Sequence, residues 1–474
     1  MTNDTTNTHT TDTHSTNTDS TDAHTTDTHT TGGARDTGRY GPGDGELAAL
    51  GHEYEHEPVP VSARRGLLSV SAVWFGFPMN LGNAVFGGVI VYSLGLPRGA
   101  AAILLGNLVL FGYVGALSWL AGRTRENFSH QAARTFGTLG ARIPAGFLST
   151  VVIGWFSFQI GLSGTTLEQT LGWAPLWGAL LGGVIYTVVT VIGIRALSLI
   201  GLIATPLFVV LAGVALWFGL THSGVSLRSA LTYGGGGHLL SFGAAMGIVI
   251  AGFSDSGTMT ADFTRWAKNG RSAVIAASCA FPLTNSAAFL VGGMVVAVGG
   301  AVDPAVDGGG FLGLLTGHGP LLTSLAVLLI FANLGSVASH CLCNGAVGWS
   351  AITPARMRPL AIALSAVGMA AALTGVWSMF LDWLNLLGVF VPPIGAVIVT
   401  DQLILCHRTA RRAPRAYRAS AFVAWAAGAG AATAAHYLLP GAVDPLIGMV
   451  VACGVCLAAE SVARTAPGPL APAG

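Results

Sequence analysis

A carboxylate interrupts an apolar part of the chain in the segment from Gly252 to Arg265, which reads Gly-Phe-Ser-Asp-Ser-Gly-Thr-Met-Thr-Ala-Asp-Phe-Thr-Arg. Irregular backbone at membrane depth survives only where it is buried in protein or lines a cavity, and glycine favours such backbone. An ionisable side chain there costs about 2.5–3.5 kcal/mol to insert and marks a functional site by default. We therefore predict a broken helix whose Phe253, Ser254 and Asp255 face a bound ligand. The alternative is that neighbouring hydroxyl groups cap Asp255 or that it stays protonated.

A second candidate group lies in the apolar segment that contains Gly154-Trp-Phe-Ser-Phe-Gln159. Trp155 and Gln159 are four residues apart, so a helix presents them on one face. A flat indole beside an amide that both donates and accepts, with Phe253 as a second ring, suits a planar heterocycle with amide-like edges. The alternative is that the aromatic residues only pack in the core.

Another interruption occurs in the first apolar segment, which contains Gly76-Phe-Pro-Met-Asn-Leu-Gly-Asn83. A simple proline kink explains Pro78 but gives no role to Asn80 and Asn83. Interrupted helices at matching positions five segments apart indicate an inverted-repeat transporter with its site between the repeats. We therefore place Asn80 beside the substrate.

Polar residues also form a stripe in the segment Asn333-Leu-Gly-Ser-Val-Ala-Ser-His340. Asn333, Ser336 and His340 lie on one helical face. Their oxygens, with backbone carbonyls of the broken first helix, suit a hard monovalent cation, whereas His340 suits a proton route. The plain alternative is hydrogen bonding between helices by small polar residues.

The composition identifies a polytopic membrane protein. Of the 474 residues, 52% are hydrophobic and only 9% are charged, and the formal net charge is +1. No basic cluster suggests a nucleic-acid partner. The six cysteines have no partnered histidines at metal-ligand spacing, so we assign neither a metal site nor a disulfide. Ser339 and His340 are adjacent and point about 100° apart on a helix, which argues against a hydrolase and for a protein that is not an enzyme.

Twelve apolar stretches are long enough to cross a bilayer. They are approximately residues 67–95, 100–121, 144–170, 173–193, 197–220, 240–263, 272–299, 320–346, 359–378, 381–405, 417–438 and 444–463. The predicted organisation is therefore a disordered tail (1–60) rich in Thr, His and Asp, a first repeat (61–221), a second repeat (222–406), and two extra helices with a short tail (407–474).

The loop charges predict the orientation. With the N-terminus in the cytoplasm, nearly all Lys and Arg residues of the loops lie inside, and only Arg98 and Arg228 lie outside. This distribution follows the positive-inside rule, so we expect both termini in the cytoplasm of a protein that crosses the cell membrane many times.

Several motifs resemble those of the nucleobase–cation symporters, which include cytosine permeases, hydantoin and allantoin transporters, and purine and uracil permeases. The resemblance covers roughly residues 66 to 410. The motifs that carry it are Gly154-Trp-Phe-x-x-Gln159, Gly193-Ile-Arg-Ala-Leu197, Gly257-Thr-x-Thr-Ala-Asp-Phe-Thr-Arg265 and Val391-Pro-Pro-Ile-Gly-Ala-Val-Ile-Val-Thr-Asp401.

The resemblance implies an all-α, LeuT-like fold with five-plus-five inverted repeats, and uptake of a purine, pyrimidine or related ring with Na⁺ or H⁺. It implies that Trp155 and Phe253 sandwich the ring and that Gln159 reads its edge. It also implies a sodium site formed by Ser336 and the backbone between Gly76 and Met79, and we add Asn333 to that site.

Two departures from the family pattern bear on substrate and ion. Val337 stands where a second hydroxyl ligand is common, which weakens the case for Na⁺, and Asp255 stands where a neutral residue is usual, which admits an amino-bearing or cationic ring. The alternative function is an amine or amino-acid transporter in which Asp255 pairs with the substrate's ammonium group. We expect a monomer in the lipid bilayer, with a small heterocyclic substrate and no cofactor other than a coupling Na⁺ or H⁺.

Overall fold

The computed structural model describes residues 54, 56–237, 240–301, 303–304, 308–375, 379–405 and 415–465. The predicted disordered tail lies outside the described residues up to residue 53, as does the end of the chain from residue 466. Tyr54 and Val59 fall inside the predicted tail but contact the membrane part. The Val59 amide donates to the Arg125 carbonyl at 3.1 Å, and the Tyr54 carbonyl accepts from Arg265 at 2.7 Å.

Every regular element of the described residues is helical. The helices of the first half are α1 (Leu67–Gly76), α2 (Leu81–Leu94), α3 (Leu96–Thr124), α4 (Phe128–Phe136), α5 (Arg142–Leu171), α6 (Pro175–Ile192), α7 (Ile194–His222) and α8 (Leu227–Leu231). Those of the second half are α9 (Phe242–Ala251), α10 (Ser254–Thr258), α11 (Ala261–Thr264), α12 (Gly270–Ser278), α13 (Ser286–Ala297), α14 (Pro320–Leu329), α15 (Gly335–Ile352), α16 (Met357–Leu373), α17 (Phe380–Val399), α18 (Ala419–Leu438) and α19 (Asp444–Thr465).

The predicted break in the first segment is present. Helices α1 and α2 meet at an angle of 55°, and residues 77–80 between them leave the helical path. Pro78 removes one backbone donor, and Asn80 caps α2 by accepting a hydrogen bond from the Asn83 amide at 3.0 Å. The side chains around Pro78 therefore stabilise a helix end inside the apolar part of the protein.

The predicted break in the sixth segment is also present. Helix α9 ends at Ala251, and Phe253 leaves the helical conformation with φ −134° and ψ 15° before the short helix α10 begins. The sequence supplies the reason, since Gly252 and Gly257 flank three polar residues that cannot continue an apolar face.

The two broken segments are held against their neighbours by close helix contacts. A Cβ added to Gly87 of α2 would lie 1.8 Å from the Phe289 carbonyl oxygen of α13, and one added to Gly292 would lie 1.7 Å from the Ala84 carbonyl oxygen. Only glycine permits this approach, which is the usual way for membrane helices to pack tightly.

Three π-helical turns interrupt the longer helices at polar residues. They are Cys279–Asn285, Ile330–Leu334 and Thr400–Ile404, and they place Asn285, Asn333 and Asp401 in the protein interior. Such turns frequently lie at functional positions, because they redirect side chains that a regular helix would leave on another face.

By length and composition, eight helices of the described residues can cross a membrane, or nine if the bent pair α1 and α2 is one span. The remaining predicted segments contain the shorter apolar helices α9 and α16, and α18. Each of the predicted stretches therefore holds at least one helix of the described structure.

Candidate functional site

Two aromatic rings face each other in the centre of the protein. Trp155 of α5 and Phe253 at the second break have ring centroids 6.4 Å apart and planes 28° apart. This separation is within the range of about 4.5–7 Å found for aromatic rings in contact, so a flat ring enters between the two only if they move apart. The pair is therefore a candidate aromatic sandwich that a movement of the broken helix would open.

Polar atoms without partners lie beside this pair. The Gln159 amide is fully buried, and both its Nε2 and its Oε1 lack a hydrogen-bond partner in the described structure. Trp155 Nε1 and Asp255 Oδ2 also have no hydrogen bond of regular geometry, but these two side chains lie close enough to interact with each other. Each such buried group costs about 1–3 kcal/mol when it stays unpaired. A ligand that supplies complementary donors and acceptors would recover this cost.

Asp255 is fully buried on α10. Its Oδ1 accepts a hydrogen bond from the Ser256 amide at 2.6 Å, and its side chain lies next to the Trp155 indole. The neighbouring serine has a local role, because the Ser254 hydroxyl donates to the Ala251 carbonyl at 3.1 Å and so caps the end of α9. The described structure gives Asp255 Oδ2 no hydrogen bond of regular geometry, and the Trp155 indole is the donor nearest to this carboxylate.

The first break brings Asn80 next to Gln159. A Cβ added to Gly82 would lie 3.1 Å from Asn80 Oδ1 and 3.8 Å from Gln159 Nε2, so the two amides flank this glycine. The Asn80 side chain also makes long contacts of 3.4 Å from Nδ2 to the Phe77 and Pro78 carbonyls. The first broken helix therefore places a side chain near Gln159, and the second places Asp255 near Trp155 on the same helix α5.

A third group of aromatic residues covers the site and was not predicted. Phe380, the first residue of α17, stacks on Phe158 at 3.8 Å, meets Trp155 edge-on at 4.8 Å, and stacks on Phe86 at 5.1 Å. Phe380 is only 6% exposed. The sequence carries no signal for this contact, because α17 lies more than two hundred residues away from α5 and no spacing links them.

The segment before α1 contacts the residues that follow α11. The Arg65 amide donates to the Trp266 carbonyl at 2.8 Å, and the Arg65 guanidinium lies 5.0 Å from the centroid of the Trp266 ring. Arg265, only 1% exposed, donates to the Tyr54 carbonyl at 2.7 Å. These contacts connect the segment before α1 to the end of the second broken segment.

The candidate cation ligands lie at the first break, against α7 and α15. Ser336 is buried and its Oγ has no partner in the described structure. A Cβ added to Gly76 would lie 2.9 Å from Thr205 Oγ1, and one added to Gly201 would lie 3.6 Å from Ser336 Oγ, so both glycines border this position. Val337, the neighbour of Ser336, is 3% exposed and supplies no oxygen.

Asn333 has a second role beyond the predicted one. Its Oδ1 accepts from the Leu81 amide at 2.8 Å, and its Nδ2 donates to the Met79 carbonyl at 2.8 Å. One side chain thereby satisfies both a free donor and a free acceptor of the broken helix. The Met79 carbonyl and the Asn333 amide, both predicted cation ligands, are already paired with each other.

The His340 imidazole lies one helical turn after Ser336 on α15. Its Nδ1 lies 2.6 Å from the Ser336 carbonyl, and its ring stacks on Phe77 at 5.1 Å. With Ser336 it borders a cavity of about 160 Å³ between α1, α7 and α15. This cavity leads from the candidate cation position toward the end of α1 that begins at Leu67.

We expect Asn333→Leu to weaken both folding and uptake. The change leaves the Met79 carbonyl and the Leu81 amide buried without partners, at a cost of about 1–3 kcal/mol each. The measurement is thermal unfolding of the purified variant, followed as the loss of its monodisperse peak in size-exclusion chromatography after heating. Asn344→Leu is the matched control, because it removes an amide of α15 whose Nδ2 has no partner. Equal thermal stability of the two variants would contradict the bridging role.

Sequence comparisons with known proteins match most of the chain. The model of a family described as permease for cytosine/purines, uracil, thiamine, allantoin matches residues 58–459. The cytosine permease of Escherichia coli O157:H7 is 29% identical over 353 residues, which is 74% of this chain and 81% of that protein. The hydantoin permease of Microbacterium maritypicum is 25% identical over 199 residues, 40% of each chain.

A solved structure shows the same fold. Mhp1, a nucleobase-cation-symport-1 family transporter in a closed conformation with bromovinylhydantoin bound, superposes with a TM-score of 0.73 at 21% sequence identity. The match covers 88% of this chain and 97% of that one. The likeness confirms the predicted class, an all-helical protein that crosses the membrane many times.

Proposed function

Because the chain belongs to the family of permeases for cytosine and purines, uracil, thiamine and allantoin, we propose that it imports a nucleobase or related planar N-heterocycle together with a cation. It is a secondary transporter of this family and not an enzyme. We place it in the cell membrane, as a monomer with both termini in the cytoplasm.

The observation that carries the proposal is the ring pair with its partnerless polar atoms. Trp155 and Phe253 have ring centroids 6.4 Å apart, the Gln159 amide is unpaired, and the Asp255 carboxylate lies beside the Trp155 indole. Stacking tolerates many flat rings, whereas hydrogen bonds to the ring edge select among them. A site in which stacking provides affinity and hydrogen bonds provide selectivity suits a transporter for one kind of heterocycle.

Asp255 narrows the substrate class. An ionised carboxylate only accepts hydrogen bonds and a protonated one keeps an accepting oxygen, so in both states Asp255 suits a ligand that presents N–H groups. Cytosine offers an exocyclic amino group, and carboxylates accept from that group in other base readers. We therefore propose an amino-bearing base of the cytosine type. The relatives named cytosine permease support this choice.

The aromatic sandwich weighs against the alternative of an amine or amino-acid substrate. An aliphatic ammonium would pair with Asp255 and could lie over an aromatic face, but it has no acceptor for the Gln159 Nε2 donor. A planar ring uses all of these features at once. The heterocycle is therefore the function that the geometry supports best.

Competition for uptake tests the proposal. We expect saturable uptake of radiolabelled cytosine into cells that express the chain, with cytosine competing better than uracil, which lacks the amino group. Gln159→Leu keeps the side-chain volume but removes the hydrogen bonds to the edge of the ring. It should lower the apparent affinity for cytosine by about tenfold or more, equivalent to 1.4 kcal/mol. The same variant should also reduce the difference in apparent affinity between cytosine and competing rings such as uracil.

Trp177→Leu serves as a control for this series, since Trp177 is 62% exposed on α6 whereas Gln159 is fully buried. Failure of every planar heterocycle to compete, with uptake of a primary amine instead, would overturn the proposal in favour of the amine transporter.

A further inference from the structure

Two histidines meet on one phenylalanine at the end of α7. The His318 ring stacks on Phe218 with centroids 4.0 Å apart and planes 7° apart, and the His222 ring lies 5.7 Å from Phe218. The two imidazole centroids are 5.7 Å from each other. Both histidines are exposed, so their free ring atoms are accessible from solvent. Neither residue belongs to the transport site described above.

The local hydrogen bonds fix the protonation pattern of His222. Its Nδ1 lies 3.1 Å from the Phe218 carbonyl and 3.0 Å from Thr221 Oγ1. The Thr221 hydroxyl donates to the Trp217 carbonyl at 2.8 Å, and a carbonyl can only accept. Nδ1 therefore carries the proton and donates it, which leaves the Nε2 lone pair free. Metal-binding histidines are oriented by the same kind of bond.

The spacing of the two rings fits a shared ion. With each Zn–N bond about 2.0–2.1 Å long, two imidazoles that bind one tetrahedral Zn²⁺ place their ring centroids roughly 5 Å apart. The observed distance of 5.7 Å exceeds this by about half an ångström, which a small rotation of the two exposed side chains removes. The stacking of His318 on Phe218 and the hydrogen bond of His222 limit the ring motions that metal binding would otherwise have to freeze.

We propose that His222 and His318 together bind one divalent transition-metal ion of the class that prefers imidazole, such as Zn²⁺, Ni²⁺ or Cu²⁺. Within the described residues no group of three or more His, Cys, Asp or Glu side chains could hold a metal, so water completes the coordination. The ion connects the end of α7 to the loop before α14. In the predicted orientation this position lies on the outer side of the membrane.

A double-mutant cycle of Zn²⁺ binding tests the proposal on the purified full chain. The variants are His222→Ala, His318→Phe and their combination, titrated with Zn²⁺ against a chelating dye at neutral pH. His318→Phe retains a ring that can stack on Phe218 but removes the nitrogen ligands. Each variant should lose the same single binding event, with the affinity at that site falling at least about tenfold because the second ligand acts at high effective concentration.

The histidines of the N-terminal segment contribute a background that is common to all variants. His14→Ala, in that segment, is the control and should leave the event that depends on His222 unchanged. If the two single variants lose separate events that add in the double variant, the histidines do not share an ion and the proposal is wrong. It is equally wrong if neither substitution changes Zn²⁺ binding.

Discussion

Trp155→Ala and Phe253→Ala should each abolish saturable uptake while the protein still folds and inserts. Both rings are buried, at 5% and 4% exposure, and face each other at the centre of the protein. Stacking of a base on an aromatic side chain is worth about 1–3 kcal/mol, which corresponds to a loss of affinity of roughly five- to hundred-and-fifty-fold. The measurement is the concentration dependence of uptake of a labelled base, with surface expression quantified in parallel.

Two further variants separate stacking from packing. Trp155→Phe retains an aromatic face and should recover a measurable part of the affinity lost in Trp155→Ala. Phe208→Ala removes a buried ring of similar size that packs on Phe311, away from the site, and should leave the apparent affinity unchanged. If both alanine variants at the sandwich keep the parent kinetics, the aromatic pair does not bind the substrate.

The two helix breaks could be predicted because each one violates the pattern of its surroundings. Asp255 between glycines and serines, and Asn80 after Pro78, are costly in a continuous apolar helix, so the sequence itself shows that the helix must end there. Trp155 and Gln159 could be paired because helical spacing relates residues four apart. In each case a local rule was enough to place the side chain.

The closure of the site by Phe380 could not be predicted in the same way. Its contacts with Phe86, Phe158 and Trp155 join α17 to α2 and α5, and no local rule relates elements so distant in the chain. Asn333 shows a second limit. A sequence identifies a buried amide as a hydrogen-bonding group, but only the fold shows that it faces the backbone of the broken helix.

Asp401 illustrates a motif residue whose contacts are structural. It ends the motif that begins at Val391, and its carboxylate accepts from Thr135 at 3.0 Å and pairs with Arg418 at 2.9 Å. Arg418 also contacts Glu460 at 3.2 Å. This motif therefore includes a residue whose described contacts hold helix ends together.

Transport should be driven by a proton gradient and should not require Na⁺. Val337 supplies no oxygen beside Ser336, and the Met79 carbonyl oxygen and Asn333 Oδ1 each already accept a hydrogen bond, which weakens both as cation ligands. A sodium ion needs several oxygens to replace its water shell, so we expect weak or absent Na⁺ binding. Asp255 offers another route, because a carboxyl group removed from water is neutralised more readily than an exposed one.

The groups around Asp255 fit a carboxyl that binds and releases a proton. Tyr113 and Cys341 are titratable side chains that face it, and both types are neutral at pH 7 in water. The Tyr113 hydroxyl is hydrogen-bonded to Thr258 on the same short helix as Asp255. Neither group therefore supplies a positive charge that would hold Asp255 permanently ionised.

Proteoliposomes distinguish the two coupling ions directly. Accumulation of the labelled base should follow an imposed pH gradient, acidic outside, and should be unchanged when Na⁺ is replaced by choline. Asp255→Asn should stop accumulation, because the amide cannot exchange a proton. Asp262→Asn is the matched control: Asp262 Oδ1 accepts from the Phe128 amide at 3.0 Å, and an asparagine oxygen can take its place. Accumulation driven by a Na⁺ gradient alone, with Asp255→Asn equal to the parent, would show that Ser336 and the carbonyls of the first break suffice for a sodium-coupled mechanism.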